Sequence, residues 1–148
     1  MTRPGTSLAI TALGALGLMA LAAACKSTPT GNNCGNGGTA PSLIGTYSLL
    51  SYTIGTNTIT APPAAGQLRF YAALYGVSLS IPNGSGGFDT VNDSGSYTII
   101  GASCIQENSA LGNPQFAGSF YVNNTDSTFR VTGSAAGQLA ASTWKKTL

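Results

Sequence analysis

The chain has 148 residues; 43% are hydrophobic and only 7% are charged, with six basic side chains, four acidic ones and no histidine. That balance excludes an intrinsically disordered chain, which combines low hydrophobicity with high net charge, and with no basic stripe nucleic acid is not expected as a partner. Without histidine a Ser-His-Asp arrangement is impossible, and a few scattered carboxylates make a poor zinc, copper or iron site; no cofactor, no metal and no enzyme activity are predicted.

Residues 1–24 carry a single charge, Arg3, then an apolar run from Leu8 to Leu21, then Ala22-Ala23-Ala24 before Cys25. A charged start, an apolar stretch and small residues at the end form a secretory signal. The run is 14 residues long, short of the ~20 that cross a bilayer as a helix. A cysteine directly after the small residues resembles the lipobox of bacterial lipoproteins, with Ala22 where leucine is usual. The resemblance implies cleavage after Ala24 and acylation of Cys25, which then anchors the chain to a membrane of the cell envelope. Lys26 follows where aspartate would signal retention, which implies the outer membrane under the sorting rule of enteric bacteria.

Residues 25–42 then form the acylated cysteine and a flexible linker rich in Gly, Asn, Thr and Pro. The 16 residues from Lys26 to Pro41 reach ~20–24 Å as a coil. With Cys25 acylated, Cys34 and Cys104 remain as an even pair in an oxidising compartment, where a disulfide is expected.

From residue 43 to 148 the pattern is that of one β-domain. Ile44–Ile54 is the first strand; Tyr47 and Leu49 share one face while Leu50, Tyr52 and Ile54 share the other, a switch that marks a bulge or bend. Residues 55–66, with Pro62-Pro63, are expected as a loop. Gln67–Ala72 turns Leu68 and Phe70 inward; Tyr75–Ile81 alternates Val77, Leu79 and Ile81 with Ser78 and Ser80. Pro82–Gly95 reads as a long loop. Ser96–Gly101 and Ala102–Glu107 are two short strands, followed by a loop over residues 108–115. Phe116–Asn123 and Ser127–Gly133 form the strongest hairpin, because Asn124 and Asp126 favour a tight turn. Gln138–Thr147 closes the series, and no segment after the signal shows helical periodicity.

Eight sequential antiparallel strands protect their edges best by closing into an up-and-down barrel, whose interior holds side chains or one small ligand; an open sandwich is the alternative. Gly45-Thr46-Tyr47, Gly66-Gln-Leu-Arg-Phe70, Gly95-Ser-Tyr-Thr-Ile-Ile100, the Phe116–Val131 hairpin and Ser142-Thr-Trp-Lys-Lys146 resemble the lipocalin-like domains of small bacterial lipoproteins. The resemblance implies a lipocalin-like barrel with a basic side chain near the end packed over an aromatic. Tyr47 stands where lipocalins usually carry tryptophan.

Within such a barrel Phe70, Val77, Leu79, Tyr97, Ile99, Phe116, Phe120 and Phe129 are the candidate lining of a cavity for a small apolar ligand. The same residues serve equally as a solid core, in which case the protein acts as a structural or protein-interaction lipoprotein through its loops. Asp89, Asp93, Glu107 and Asp126 are expected to be solvated loop carboxylates; the ligand spacing of Asp89–Gly95 does not fit a calcium loop. The protein partner, if one exists, is not legible in the sequence.

Overall fold

The computed structural model describes Cys34 and residues 38–147. Cys25 and the signal segment lie outside the described residues. Nine strands and no helix are found among them: β1 (Gly45–Ile54), β2 (Asn57–Thr60), β3 (Ala65–Tyr71), β4 (Leu74–Pro82), β5 (Phe88–Ile100), β6 (Cys104–Ser109), β7 (Phe116–Asn123), β8 (Thr128–Ala135) and β9 (Gln138–Lys146).

Consecutive strands pair antiparallel from β3 to β9, and β9 returns to β1, so the sheet closes. Eight strands form the ring. β2 and β3 lie one after the other along the same side of β1, β2 against Ser51–Ile54 and β3 against Gly45–Ser48. Pro62 and Pro63 separate them; neither has an N–H to give to a ladder, so one barrel strand is split in two. Ala61 still donates its N–H to the Leu50 carbonyl (2.9 Å). The expected loop at 55–66 therefore contains a strand. Its only inward apolar residue is Ile59, too little to raise an alternating signal.

The expected loop at 82–95 is corrected more sharply. β5 begins at Phe88 and pairs with β4 without a break from Leu74↔Ser96 to Pro82↔Phe88. Only residues 83–87 form the turn, where Asn83 accepts from the N–H groups of Ser85 and Gly87 and donates to Asp89.

The apolar switch in β1 has the predicted cause. Its pairing with β9 slips between Leu49 and Ser51, so Tyr47, Leu49 and Tyr52 all reach the core while Leu50 is left exposed. Glycines permit the tightest strand approaches: a Cβ on Gly118 would lie 2.4 Å from the Thr132 carbonyl, and one on Gly133 2.3 Å from that of Ala117. β7 and β8 can lie this close only because both positions are glycine.

The segment ahead of β1 closes one end of the barrel. Cys34 is disulfide-bonded to Cys104 at the start of β6, and Gly45 opens β1, on the opposite side of the ring. Between them Leu43 is 1% exposed and belongs to the core. Cys34 and residues 38–44 thus form a strap across the mouth formed by the ends of β3, β5, β7 and β9. The opposite mouth, at the β4–β5 and β8–β9 turns, is the far end.

Candidate functional site: the barrel interior

Phe70 and Phe129 are the centre of the interior, each 1% exposed. Their ring centroids are 5.8 Å apart and edge-on. Tyr47 lies 6.0 Å from Phe70 and 5.7 Å from Phe129; Tyr97 lies 4.8 Å from Phe70, and Phe120 5.9 Å from Phe129. These spacings and tilts are the favourable ones for aromatic pairs. Five rings from five strands therefore interlock across the strapped half of the barrel. Trp144, Ile105, Leu68 and Leu79 join the same cluster.

The polar tips of these side chains are satisfied, as buried hydroxyls and indoles require. The Tyr47 hydroxyl donates to the Leu43 carbonyl (2.8 Å), which ties the strap to β1. Tyr97 donates to the Ala72 carbonyl (2.6 Å), and Trp144 Nε1 to Ser142 Oγ (2.7 Å). Burial pushes the Tyr47 hydroxyl pKa up, with the neighbouring Tyr97 adding to it.

Of the expected lining residues, Phe70, Leu79, Tyr97, Phe120 and Phe129 are buried in this cluster, and Val77, Ile99 and Phe116 are partly buried against it. The expected basic residue over an aromatic is Lys146, whose ammonium lies 5.8 Å from the Tyr47 ring centroid. Beside this pair is a recess of about 70 Å³, lined by Tyr47, Val122, Asn124, Ser127, Thr128 and Lys146. That is well below the ~300–1,000 Å³ of small-molecule sites. The predicted Cys34–Cys104 disulfide is present, with Cα atoms 5.0 Å apart, and the Ala102 N–H donates to the Cys34 carbonyl (2.8 Å).

Three of the four carboxylates lie on strands rather than in loops: Asp89 and Asp93 on β5 and Glu107 on β6. Asp89 is exposed, as expected, but Asp93 and Glu107 are half-buried. The inward positions of β5 run Val91, Asp93, Gly95, Tyr97 and Ile99; Glu107 is two residues from the fully buried Ile105, on the same face of β6. Asp93 accepts from the Tyr75 hydroxyl (2.6 Å), the Ser109 hydroxyl (2.5 Å) and the Ser94 N–H (2.8 Å). Burial, reinforced by the hydrogen bond to Asp93, pushes the Tyr75 pKa up. Glu107 is pushed up to about 7 by burial and by the nearby Asp93 charge. Asp93 thus gathers the donors, while Glu107 keeps its proton to a higher pH than an exposed glutamate does. The signal for this pair is the period-2 alternation continued backward from Ile99, which places Asp93 inward.

Asp126 is the loop carboxylate it was expected to be, fully exposed, with its pKa lowered chiefly by the hydrogen bond from the Thr128 hydroxyl. Among the described residues no three His, Cys, Asp or Glu side chains converge on a point.

No family model matches the chain, and no curated protein matches it. Among solved structures, a redesigned β-barrel is similar at a TM-score of 0.50 and 18% sequence identity, with 72% of this chain and 92% of that one covered. The likeness concerns the fold: an all-strand, closed antiparallel barrel.

Proposed function

We propose that the chain is a lipid-anchored protein of the cell envelope whose barrel is a filled, strapped scaffold acting through its outer surface and loops. The observation that carries this reading is the interlocked cluster around Phe70 and Phe129, which commits the apolar side chains of the strapped half to one another. A lipocalin-type apolar cavity would need those same faces free. The Cys34–Cys104 disulfide supports an exported location, because such bonds persist in oxidising compartments. The signal-like segment and Cys25 supply the anchor, and the outer membrane is the destination that Lys26 favours. The role is non-catalytic.

Expression of the full chain in a bacterial host tests the anchoring. The expected result is membrane-bound protein whose N-terminal peptide begins at Cys25 and carries acyl mass, with Cys25→Ser released to the soluble fraction. Unmodified Cys25 in soluble exported protein would contradict it.

A further inference from the structure

The basic residues of the described domain are not spread evenly. Arg69 on β3, Arg130 on β8, and Lys145 and Lys146 on β9 all lie in the strapped half, against a single carboxylate there, Asp126. Asp89, Asp93 and Glu107 lie toward the far end or inside. The outer surface of the barrel therefore carries its positive charge at the strapped end, while Asp89 is the exposed carboxylate of the far end.

Exposed aromatic and aliphatic side chains accompany the positive charge. Tyr121, 65% exposed, is directly opposite Arg130 on the outer wall. Lys145 follows on the neighbouring strand, where it also acts on Asp126. On the other side of β1, Arg69 lies over the Tyr71 ring at 5.1 Å. Exposed Ile44 and Leu74 stand at the same end. Arg69, Tyr121, Arg130 and Lys145 are each within about three residues of a strand end, so ~10 Å or less from the rim. That is about one Debye length at 0.1 M salt.

The chain outside the described domain leads from this same end. Cys34 is fixed to Cys104 there, and Cys25 lies nine residues upstream (34 − 25). A coil of that length, as the Gly, Asn, Thr and Pro composition leads one to expect, would span ~15–18 Å on r.m.s. average. An acyl chain on Cys25 would hold the strapped rim within reach of the headgroups.

We propose that the strapped rim docks on an anionic lipid surface, with Arg69, Arg130, Lys145 and Lys146 meeting phosphate groups and Tyr71 and Tyr121 seated at the headgroup level. The docking rests on the anchoring proposed above, because the anchor supplies the proximity. Lys and Arg bind anionic surfaces electrostatically, and amphipathic rings favour the interface.

The test uses the oxidised chain from residue 25 with Cys25→Ser, so that no acyl chain contributes. Its co-sedimentation is measured with vesicles of phosphatidylglycerol and phosphatidylcholine, and with phosphatidylcholine alone, at low and high salt. Binding is expected to the anionic vesicles and to fall with salt. Loss of each basic residue is expected to weaken it about fivefold, so Arg130→Gln with Lys145→Gln lowers affinity roughly 30-fold. Ser85→Glu with Gln138→Glu removes the same net charge from the far end and is expected to leave binding nearly unchanged. All four positions are exposed or on the outer wall, and unchanged thermal melts confirm that the variants fold. Equal binding to both vesicle types, or equal loss from both double variants, would overturn the docking. Binding to polyglutamate but not to anionic vesicles would also overturn it, in favour of an acidic protein partner. Acyl mass on Cys25 in cells tests the anchor separately, so an acylated protein whose domain ignores vesicles refutes the docking alone.

Discussion

The two halves of this barrel are built from different materials. In the strapped half five aromatic rings meet across the interior, Leu43 plugs the mouth, and a disulfide fixes the strap. In the far half the inward positions include Gly66, Gly95, Gly118, Gly133, Ala140 and Ser142, with Asp93, Glu107 and Ser109. Close backbone approach replaces side-chain filling there, and a hydrogen-bonded acid cluster replaces apolar contact. The contrast teaches that stability is concentrated where the chain enters the barrel, while the other half is held by strand pairing. Substitutions should divide along this line.

The largest effect is expected from the ring cluster. Phe129→Ala removes a side chain that touches Tyr47, Phe70 and Phe120, and should cost ~3–5 kcal/mol in denaturant unfolding. Val91→Ala, on a partly buried far-half residue, should cost clearly less. Equal losses at both sites would erase the distinction.

Reduction of Cys34–Cys104 comes next. The bond closes a loop of 70 residues, worth ~4 kcal/mol in the chain-entropy model. Reduction also frees the strap, so aromatic surface beneath Leu43 should become accessible to a hydrophobic dye. A reduced protein with unchanged melting and no dye signal would show that the strap is held by its contacts alone.

The far half has its own signature in pH. Glu107 titrates near 4.5 when unperturbed and is raised to about 7 in the folded protein, so the fold binds this proton more tightly than the unfolded chain does. The associated stability is full below pH ~4.5 and is lost as pH rises through 7, by up to ~3 kcal/mol. Asp93 and Tyr75 are the titratable groups facing it. Glu107→Gln should flatten the fall between pH 5 and 8, as read from melting temperature; an unchanged slope would remove Glu107 as its source.

The smallest effect belongs to the β8–β9 turn. Ala136 and Gly137 both have positive φ, 51° and 77°, the backbone of a two-residue type I′ hairpin turn. Glycine accepts that conformation without a Cβ penalty. Ala136→Gly should raise stability by ~0.5–1 kcal/mol, and a loss would mean that the Ala136 methyl makes a contact worth more than the strain.

Much of this was legible in the sequence because it follows from alternation. The strand order, the closed barrel, the β7–β8 hairpin and the bulge at Leu50 each come from which apolar residues share a face. β2 and the first half of β5 did not show themselves. β2 carries a single inward apolar residue, and the inward face of β5 carries Asp89 and Asp93 where the pattern needs apolar side chains. Acids at inward-parity positions erase the periodicity that reveals a strand, so the residues hardest to place are those of the half-buried polar cluster. The disulfide was predictable from cysteine parity; that it fastens a strap required the topology, which sets β6 opposite β1.

On the proposed reading the barrel is filled and works from its outer surface. Titration of the oxidised chain with N-phenyl-1-naphthylamine, an apolar fluorescent probe, tests it most directly. No saturable binding is expected up to high micromolar probe, with a signal emerging only after reduction of Cys34–Cys104 or in Phe129→Ala. Saturable one-to-one binding to the oxidised wild-type chain, weakened by Phe116→Trp or Val77→Phe, would contradict it and establish an apolar ligand site inside the barrel.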